Sequence, residues 1–280
     1  MNIGQLRRQT IERLTPKYGE REATAMTRLA FFALAGWDTS QFILRSDREA
    51  SAYLTGKFDD LVNRLQKDEP IQYILGMADF YGMVFKIRPG ILIPRPETAQ
   101  LVDWIVDDMS GRKDLAVLDV GTGSGCIAVA LALNLPFSSV TAIDINPEAV
   151  ALARENAKNL HTRIDARQVD IFLYEPERQS LDIIVSNPPY IPQSESRSME
   201  RNVLDFEPHE ALFVPDDDPL LYYRRIIDVA KIALRPHGAL YFEIHPPLAT
   251  ALRQLLSSAG LNVEIRNDMY GRQRLLKAVK

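Results

Sequence analysis

Leu181-Asp182-Ile183-Ile184-Val185-Ser186-Asn187-Pro188-Pro189-Tyr190 is the stretch from which the fold of this chain can be read. A run this rich in β-branched residues reads as a strand buried on both faces, as in a parallel sheet covered by helices. Asn187 then stands at the strand's carboxyl end, where open α/β sheets build their sites. Pro188 pushes Asn187 toward extended backbone, and Pro189 does the same to Pro188. Neither proline carries an N–H, so the turn offers carbonyl acceptors with no donor beside them. With the Asn187 amide and the Tyr190 ring, they make a rigid pocket suited to a small planar NH2 group. Two plainer readings stand beside this one. The stretch could be only a stiff turn leaving a sheet, or Pro189-Tyr190-Ile191-Pro192 could serve as a PxxP ligand. A buried strand directly before it would hide such a ligand.

Outward from this strand the chain alternates between strand and helix. Leu115–Val120 reads as a strand, Gly121-Thr122-Gly123-Ser124-Gly125 as a loop, and Cys126–Leu135 as an apolar helix. Val140–Asp144 is a second strand, and Pro147 opens a helix running through Asn159. Ile164–Val169 is a third strand, ending at Asp170. After the 181–186 strand a long loop covers 191–219, followed by a helix near 220–234. A strand over Ala239–Glu243, a helix near 247–259 and two closing strands near 261–266 and 273–279 complete the pattern. Such alternation implies a doubly wound α/β sheet of seven strands, mostly parallel. No helix separates the last two strands, so one of them should run antiparallel.

The glycine loop lies between a strand and a helix, where glycines permit tight turning and close approach to a ligand. A dinucleotide fingerprint would need glycine at the position of Cys126, and a P-loop would need a lysine that is missing. The loop therefore approaches a ligand without gripping a pyrophosphate. Asp144, at the next strand end, can accept hydrogen bonds from a ribose diol. Asp170 can accept from an exocyclic amine such as that of adenine, with Ile171 and Phe172 as the apolar wall beside it. Glycine loop, first acid and second acid at three successive strand ends form a constellation for S-adenosylmethionine. For each acid alone, a helix cap or solvated strand end is the plainer reading. Cys126 reads as a small packing residue at the helix start.

The amino-terminal 75 residues read as a bundle of four or five short helices. Met26, Leu29, Ala30, Ala33, Leu34 and Trp37 fall on one face, and Leu54, Phe58, Leu61, Val62 and Leu65 form a second stripe. Such a bundle is either a structural appendage or a recognition module for a macromolecular partner. Residues 76–95 are expected to hold a β-hairpin linking it to the rest. Phe80–Ile87 is the alternating strand, and Pro89-Gly90 is the turn signal before Ile91-Leu92-Ile93. The next helix carries Leu101, Val102, Trp104, Ile105 and Met109. Arg95 and Glu97, at its start, are either a local ion pair or the frame of a site mouth.

Composition is ordinary for a globular protein, at 46% hydrophobic and 25% charged residues, with a net charge of −4. The bundle carries 11 Lys+Arg against 10 Asp+Glu and residues 76–280 carry 22 against 27, so neither part has the basic excess of a polyanion binder. One cysteine, Cys126, excludes an intramolecular disulfide, and the four scattered histidines lack metal-ligand spacing, so no metal is expected. No apolar run reaches the ~18 residues of a membrane span, and the first residues do not read as a secretory signal. A cytoplasmic protein is expected.

Several motifs then occur in order along the chain. They are Glu69-Pro70-Ile71-Gln72-Tyr73-Ile74-Leu75-Gly76, Leu92-Ile93-Pro94-Arg95-Pro96-Glu97-Thr98, the Asp119–Gly125 loop, Asn187-Pro188-Pro189-Tyr190, Phe206-Glu207-Pro208-His209-Glu210-Ala211-Leu212 and Gly271-Arg272-Gln273-Arg274. Across its whole length the chain resembles the HemK/PrmC family of bacterial release-factor glutamine methyltransferases. The resemblance implies a sheet of the class I S-adenosylmethionine-dependent methyltransferase type over 96–280, a hairpin linker over 76–95, and a helical bundle over 1–75 that helps dock a release factor. It implies methyl transfer to the side-chain amide nitrogen of glutamine in the Gly-Gly-Gln loop of class 1 peptide chain release factors. Gly121, Thr122, Gly123, Ser124, Gly125, Asp144 and Asn187 match the family's cofactor contacts, and Asn187, Pro188, Pro189 and Tyr190 its substrate pocket. One departure is that some members have tryptophan where this chain has Ile171.

An amide nitrogen is a poor nucleophile, so the expected chemistry is positioning. The Asn187 oxygen and the Pro188 carbonyl would hold the NH2, and Tyr190 would pack on the flat amide. Three competing readings are methylation of a base in DNA or RNA, an inactive cofactor-binding docking module, and a nicotinamide oxidoreductase. The charge balance argues against the first, intact Asn187 and Tyr190 against the second, and Cys126 against the third. A monomer is expected.

Overall fold

A computed structural model describes residues 1–280 apart from the side chain of Ser198. The chain divides into two compact units, 1–77 with 200–206, and 78–199 with 207–280.

In the first unit α1 (Ile3–Tyr18) starts at a capping box. Asn2 Oδ1 accepts from the Gln5 N–H at 2.8 Å, while Gln5 Oε1 accepts from the Asn2 N–H at 2.9 Å. α2 (Glu20–Ala35) stops at Gly36 in the left-handed region. α3 (Thr39–Leu44) is capped by Asp38, α4 (Ala52–Leu65) by Ser51, and α5 (Ile71–Leu75) follows Pro70. The α4 stripe of Leu54, Phe58, Leu61, Val62 and Leu65 is buried as its spacing predicts. On α2 the deepest row is Ala23, Thr27, Ala30 and Phe31, with Met26, Leu29, Leu34 and Trp37 packed against its edge. The expected stripe was displaced because a threonine hides in the core, its hydroxyl donating to the Ala23 carbonyl at 2.7 Å.

A hairpin of β1 (Met77–Phe80) and β2 (Met83–Lys86) follows, all of it but Met77 belonging to the second unit. Its turn is Tyr81-Gly82, not the expected Pro89-Gly90. Both turn residues have positive φ, 52° and 71°, as a two-residue hairpin turn requires. Ile91–Ile93 is consequently no strand but a buried connection. Buried Asn156 clamps β2, accepting from the Lys86 N–H at 2.8 Å and donating to the Lys86 carbonyl at 3.0 Å.

The main sheet contains β3 (Ala116–Val120), β4 (Ser139–Asp144), β5 (Asp165–Gln168), β6 (Leu181–Ser186), β9 (Leu234–Glu243), β10 (Asn262–Asn267) and β11 (Gln273–Val279). Their spatial order is β10-β11-β9-β6-β3-β4-β5. β3 pairs in parallel with both β4 and β6, and β6 with β9, whereas β11 runs antiparallel to β9 and β10. This is the expected doubly wound seven-stranded sheet with its one antiparallel member. Helices α6 (Pro96–Asp108), α7 (Cys126–Asn134) and α8 (Pro147–Asn159) share one apolar core with Val117, Ile183 and Val185. Helices α10 (Leu221–Ala233) and α11 (Ala249–Ser258) share the other with Leu118, Ile184 and Leu240. Successive strand residues thus enter opposite cores, which is why β6 is apolar nearly throughout.

The 191–219 segment is more ordered than a loop. It contains β7 (Ile191–Pro192), a 3-10 turn over Gln193–Ser198, α9 (Arg201–Leu204), a second 3-10 turn over His209–Ala211, and β8 (Phe213–Val214) paired in parallel with β7. Among the described residues no helix is long and apolar enough to cross a membrane.

Candidate active site

From β3 the chain winds to β4 and β5 on one side, and β6 lies on the other. A ligand crevice is expected at the carboxyl end of such a switch point. A cavity of about 230 Å³ opens there. It is lined by Gly121–Ser124 after β3, Asp144 ending β4, Asp170–Phe172 after β5 and Asn187–Pro189 after β6. Of the residues read in the sequence as cofactor or substrate contacts, Gly125 and Tyr190 lie outside this lining, as does Glu97, the expected partner of Arg95 at the site mouth.

Gly125 has a different task. Its φ is +80°, and a Cβ added there would stand 2.8 Å from the Ala153 Cβ. Glycine at 125 lets the start of α7 lie against α8, which is packing and not ligand contact. Gly121 and Gly123 also have positive φ, but an added Cβ at Gly121 meets nothing within 4 Å, leaving open space for a ligand. Thr122 is buried and its hydroxyl donates to Asp119 Oδ2 at 2.6 Å. Burial pushes the Asp119 carboxyl up to about 7, and the nearby Asp144 charge pushes the same way.

Asp144 organises the loop it faces. Its Oδ2 accepts from the Gly123 N–H at 2.8 Å and its Oδ1 from the Asn146 N–H at 2.9 Å. Burial raises its pKa, which these backbone donors oppose. Each carboxylate oxygen retains a lone pair beyond these bonds. Asp170 accepts from the Phe172 N–H at 2.9 Å, turning Phe172 outward. Ile171 is buried in the second core, whereas Phe172 is 40% exposed and packs 5.4 Å from the Tyr222 ring. Both line the cavity, and Phe172 with Tyr222 supplies the aromatic surface that Ile171 lacks.

Around Asn187 a polar network appears that sequence reasoning missed. Asn187 Nδ2 donates to Thr98 Oγ1 at 3.3 Å, and the Thr98 hydroxyl donates to Glu243 Oε2 at 2.5 Å. Tyr190 donates to Glu243 Oε1 at 3.0 Å, and Arg274 reaches the Tyr190 hydroxyl at 3.3 Å. The Tyr190 ring stacks on His245 at 5.8 Å. Burial, then the Glu243 charge, raises the Tyr190 pKa, and burial raises that of Glu243. The one sequence signal for Glu243 was a charge ending the apolar run Leu240-Tyr241-Phe242. Arg95, which also lines the cavity, pairs with Glu207 and not with Glu97. Glu207 is buried and accepts from the Ile93 N–H at 3.2 Å, fixing the buried connection against the site.

Comparison with known proteins bears on this geometry. Residues 98–205 match the Methyltransferase small domain family and residues 5–76 the PrmC N-terminal domain family. The chain is 44% identical over 263 residues to the release factor glutamine methyltransferase of Bacteroides thetaiotaomicron, covering 93% of this chain and 94% of the relative. It is 38% identical over 281 residues to that of Flavobacterium psychrophilum, covering 99% of each. The solved T. thermophilus 16S rRNA N2 G1207 methyltransferase in complex with AdoMet and guanosine superposes with a TM-score of 0.53. At 19% identity, over 73% of this chain and 49% of that one, it shares the fold.

The cofactor of this fold and family is S-adenosylmethionine, and the cavity residues fit it. The loop leaves open space at Gly121, Asp144 keeps acceptor capacity, and Ile171, Phe172 and Tyr222 form an apolar flank. With fold, cofactor and relatives in agreement, this enzyme belongs to the S-adenosylmethionine-dependent release factor glutamine methyltransferase family.

Proposed function

We propose that this chain methylates the side-chain amide nitrogen of the glutamine in the Gly-Gly-Gln loop of class 1 peptide chain release factors. The observation that carries the reading is the convergence of two half-sites on one cavity. Gly121–Ser124, Asp144 and Asp170–Phe172 line the part suited to the cofactor, and Asn187–Pro189 line the part suited to a planar amide. The relatives named for this activity, covering nearly the whole chain, support the choice of substrate.

S-adenosylmethionine, when bound, would supply an electrophilic sulfonium methyl group, with the thioether as leaving group and the amide proton passing to solvent after the methyl has arrived. The chain's residues do the positioning. Asn187 Oδ1 and the Pro188 carbonyl accept from the target NH2, and Pro189 adds rigid wall without an opposing donor. As positive charge grows on nitrogen these bonds become charge-assisted, each worth about 1.5–3 kcal/mol. Tyr190, anchored to Glu243, holds the turn that presents Asn187. Asp144 and the glycine loop bind the cofactor, Asp170 receives its adenine amine, and Ile171 and Phe172 flank the ring.

Residues 1–75 serve release-factor recognition, 76–95 link, and 96–280 carry the chemistry, in a cytoplasmic monomer. The test is incubation of the purified enzyme with isotopically labelled S-adenosylmethionine and release factor, RNA or DNA, followed by mapping of the label. Label on the Gly-Gly-Gln glutamine is expected. Label only on a nucleic-acid base, or on another protein side chain, overturns the reading.

A further inference from the structure

We infer that Thr98 and Glu243 are positioning residues that decide which end of the Asn187 amide faces the cavity. The inference rests on the proposed role of Asn187 as acceptor for the target NH2. It starts from Glu243, the buried last residue of β9, whose two carboxylate oxygens receive two different hydroxyls. An ionised carboxylate has acceptors only. The Thr98 hydroxyl, 2.5 Å from Oε2, must therefore spend its single proton on Glu243. What Thr98 then offers to its other neighbour is lone pairs.

That neighbour is Asn187. Its oxygen would meet another oxygen there, so only its NH2 end can bond Thr98, at 3.3 Å. The amide is planar, with its oxygen on the side away from its NH2 group, so Oδ1 is turned away from Thr98 and left for a ligand. The direction of donation runs Asn187 to Thr98 to Glu243 and is set by the charge at its end. Burial above all, and the Glu97 charge, oppose that charge, while the hydrogen bonds from Thr98 and Tyr190 and the Arg274 charge favour it.

The consequence is selectivity. A pocket with Oδ1 presented accepts a glutamine NH2 and repels a glutamate carboxylate in its place. A pocket in which the amide turns freely loses that preference. Proline carbonyls cannot turn over in this way, so the discrimination resides in Asn187 and in what holds it.

The experiment compares wild type with Thr98→Val, which keeps the shape of the side chain without its hydroxyl, and Thr98→Ser, which keeps the hydroxyl. Three quantities are measured: kcat on purified release factor, the Kd for S-adenosylmethionine, and the Kd for release factor carrying Gln or Glu at the target position. Thr98→Val is expected to lower kcat about 10- to 100-fold, with cofactor Kd within about twofold of wild type. Its preference for Gln over Glu should fall toward equality, and Thr98→Ser should restore both kcat and preference. A purely structural role for Thr98 would weaken both release-factor forms equally or weaken the cofactor together with kcat. Either result, or wild-type kcat in Thr98→Val, overturns the inference. If the wild-type enzyme labels no release factor at all, the functional reading falls first and the inference with it.

Discussion

The Tyr190 hydroxyl donates to Glu243 Oε1 at 3.0 Å, tying the end of the turn after β6 to the end of the neighbouring strand β9. The ends of two neighbouring strands are thereby joined by a partly buried bond behind the cavity-lining Asn187-Pro188-Pro189 turn. Removing the hydroxyl by Tyr190→Phe leaves the ring on His245 but strips a donor from a buried carboxylate, at a cost of about 1–3 kcal/mol. Chemical denaturation should show that loss of stability. Because Tyr190 lies outside the cavity lining, the cofactor Kd should stay near wild type. An unaltered denaturation midpoint would show that the bond contributes nothing.

Asp144 holds Gly123 and Asn146 through two backbone N–H groups. Asp144→Ala releases both and removes the carboxylate at the cofactor side of the cavity. Cofactor Kd, measured by titration calorimetry, should rise about 10- to 100-fold, and Asp144→Asn should also weaken binding because its NH2 end opposes one donor. Wild-type affinity in both variants would place the cofactor elsewhere.

Gly125→Ala introduces a Cβ at +80° φ and 2.8 Å from the Ala153 Cβ. Left-handed backbone strain and overpacking together should destabilise the fold by about 2–4 kcal/mol. Adding Ala153→Gly in the same chain should recover only part of the loss, because the Ala153 Cα would still stand 2.9 Å from the new Cβ and the backbone strain remains. A fully additive double mutant would contradict the contact.

Asp119 is buried with its pKa raised to about 7, so the folded chain binds its proton more tightly than the unfolded chain does. Its contribution to stability is full below the ordinary carboxylate range and is lost as pH rises toward about 7. Melting temperatures of the cofactor-free enzyme should carry this downward trend between about pH 4 and 7, and Asp119→Asn should flatten it. Equal slopes for the two proteins would mean that Asp119 titrates normally.

Much of this architecture is legible in the sequence. The apolar β6 run, the glycine loop and the acids at three strand ends are local signals, since burial on both faces and tight turning each demand particular residues in succession. A local signal also misled. Pro89-Gly90 reads as the hairpin turn and Phe80–Ile87 as one alternating strand, whereas the turn is Tyr81-Gly82 inside that run, because the register of two paired strands depends on both. Thr27 entered the bundle core because its hydroxyl found a partner within its own helix.

The sequence by itself determined the sheet, the layers and the strand ends where the cavity opens, because periodicity and turn chemistry act over a few residues. Only the tertiary structure decided which polar groups meet there. Arg95 found Glu207 instead of nearby Glu97, and Thr98 found Glu243 across 145 residues. Gly125 proved to be a packing glycine once Ala153 was seen against it. Pairings of this kind follow from how β6, β9 and α6 converge in space, and no spacing along the chain encodes that convergence.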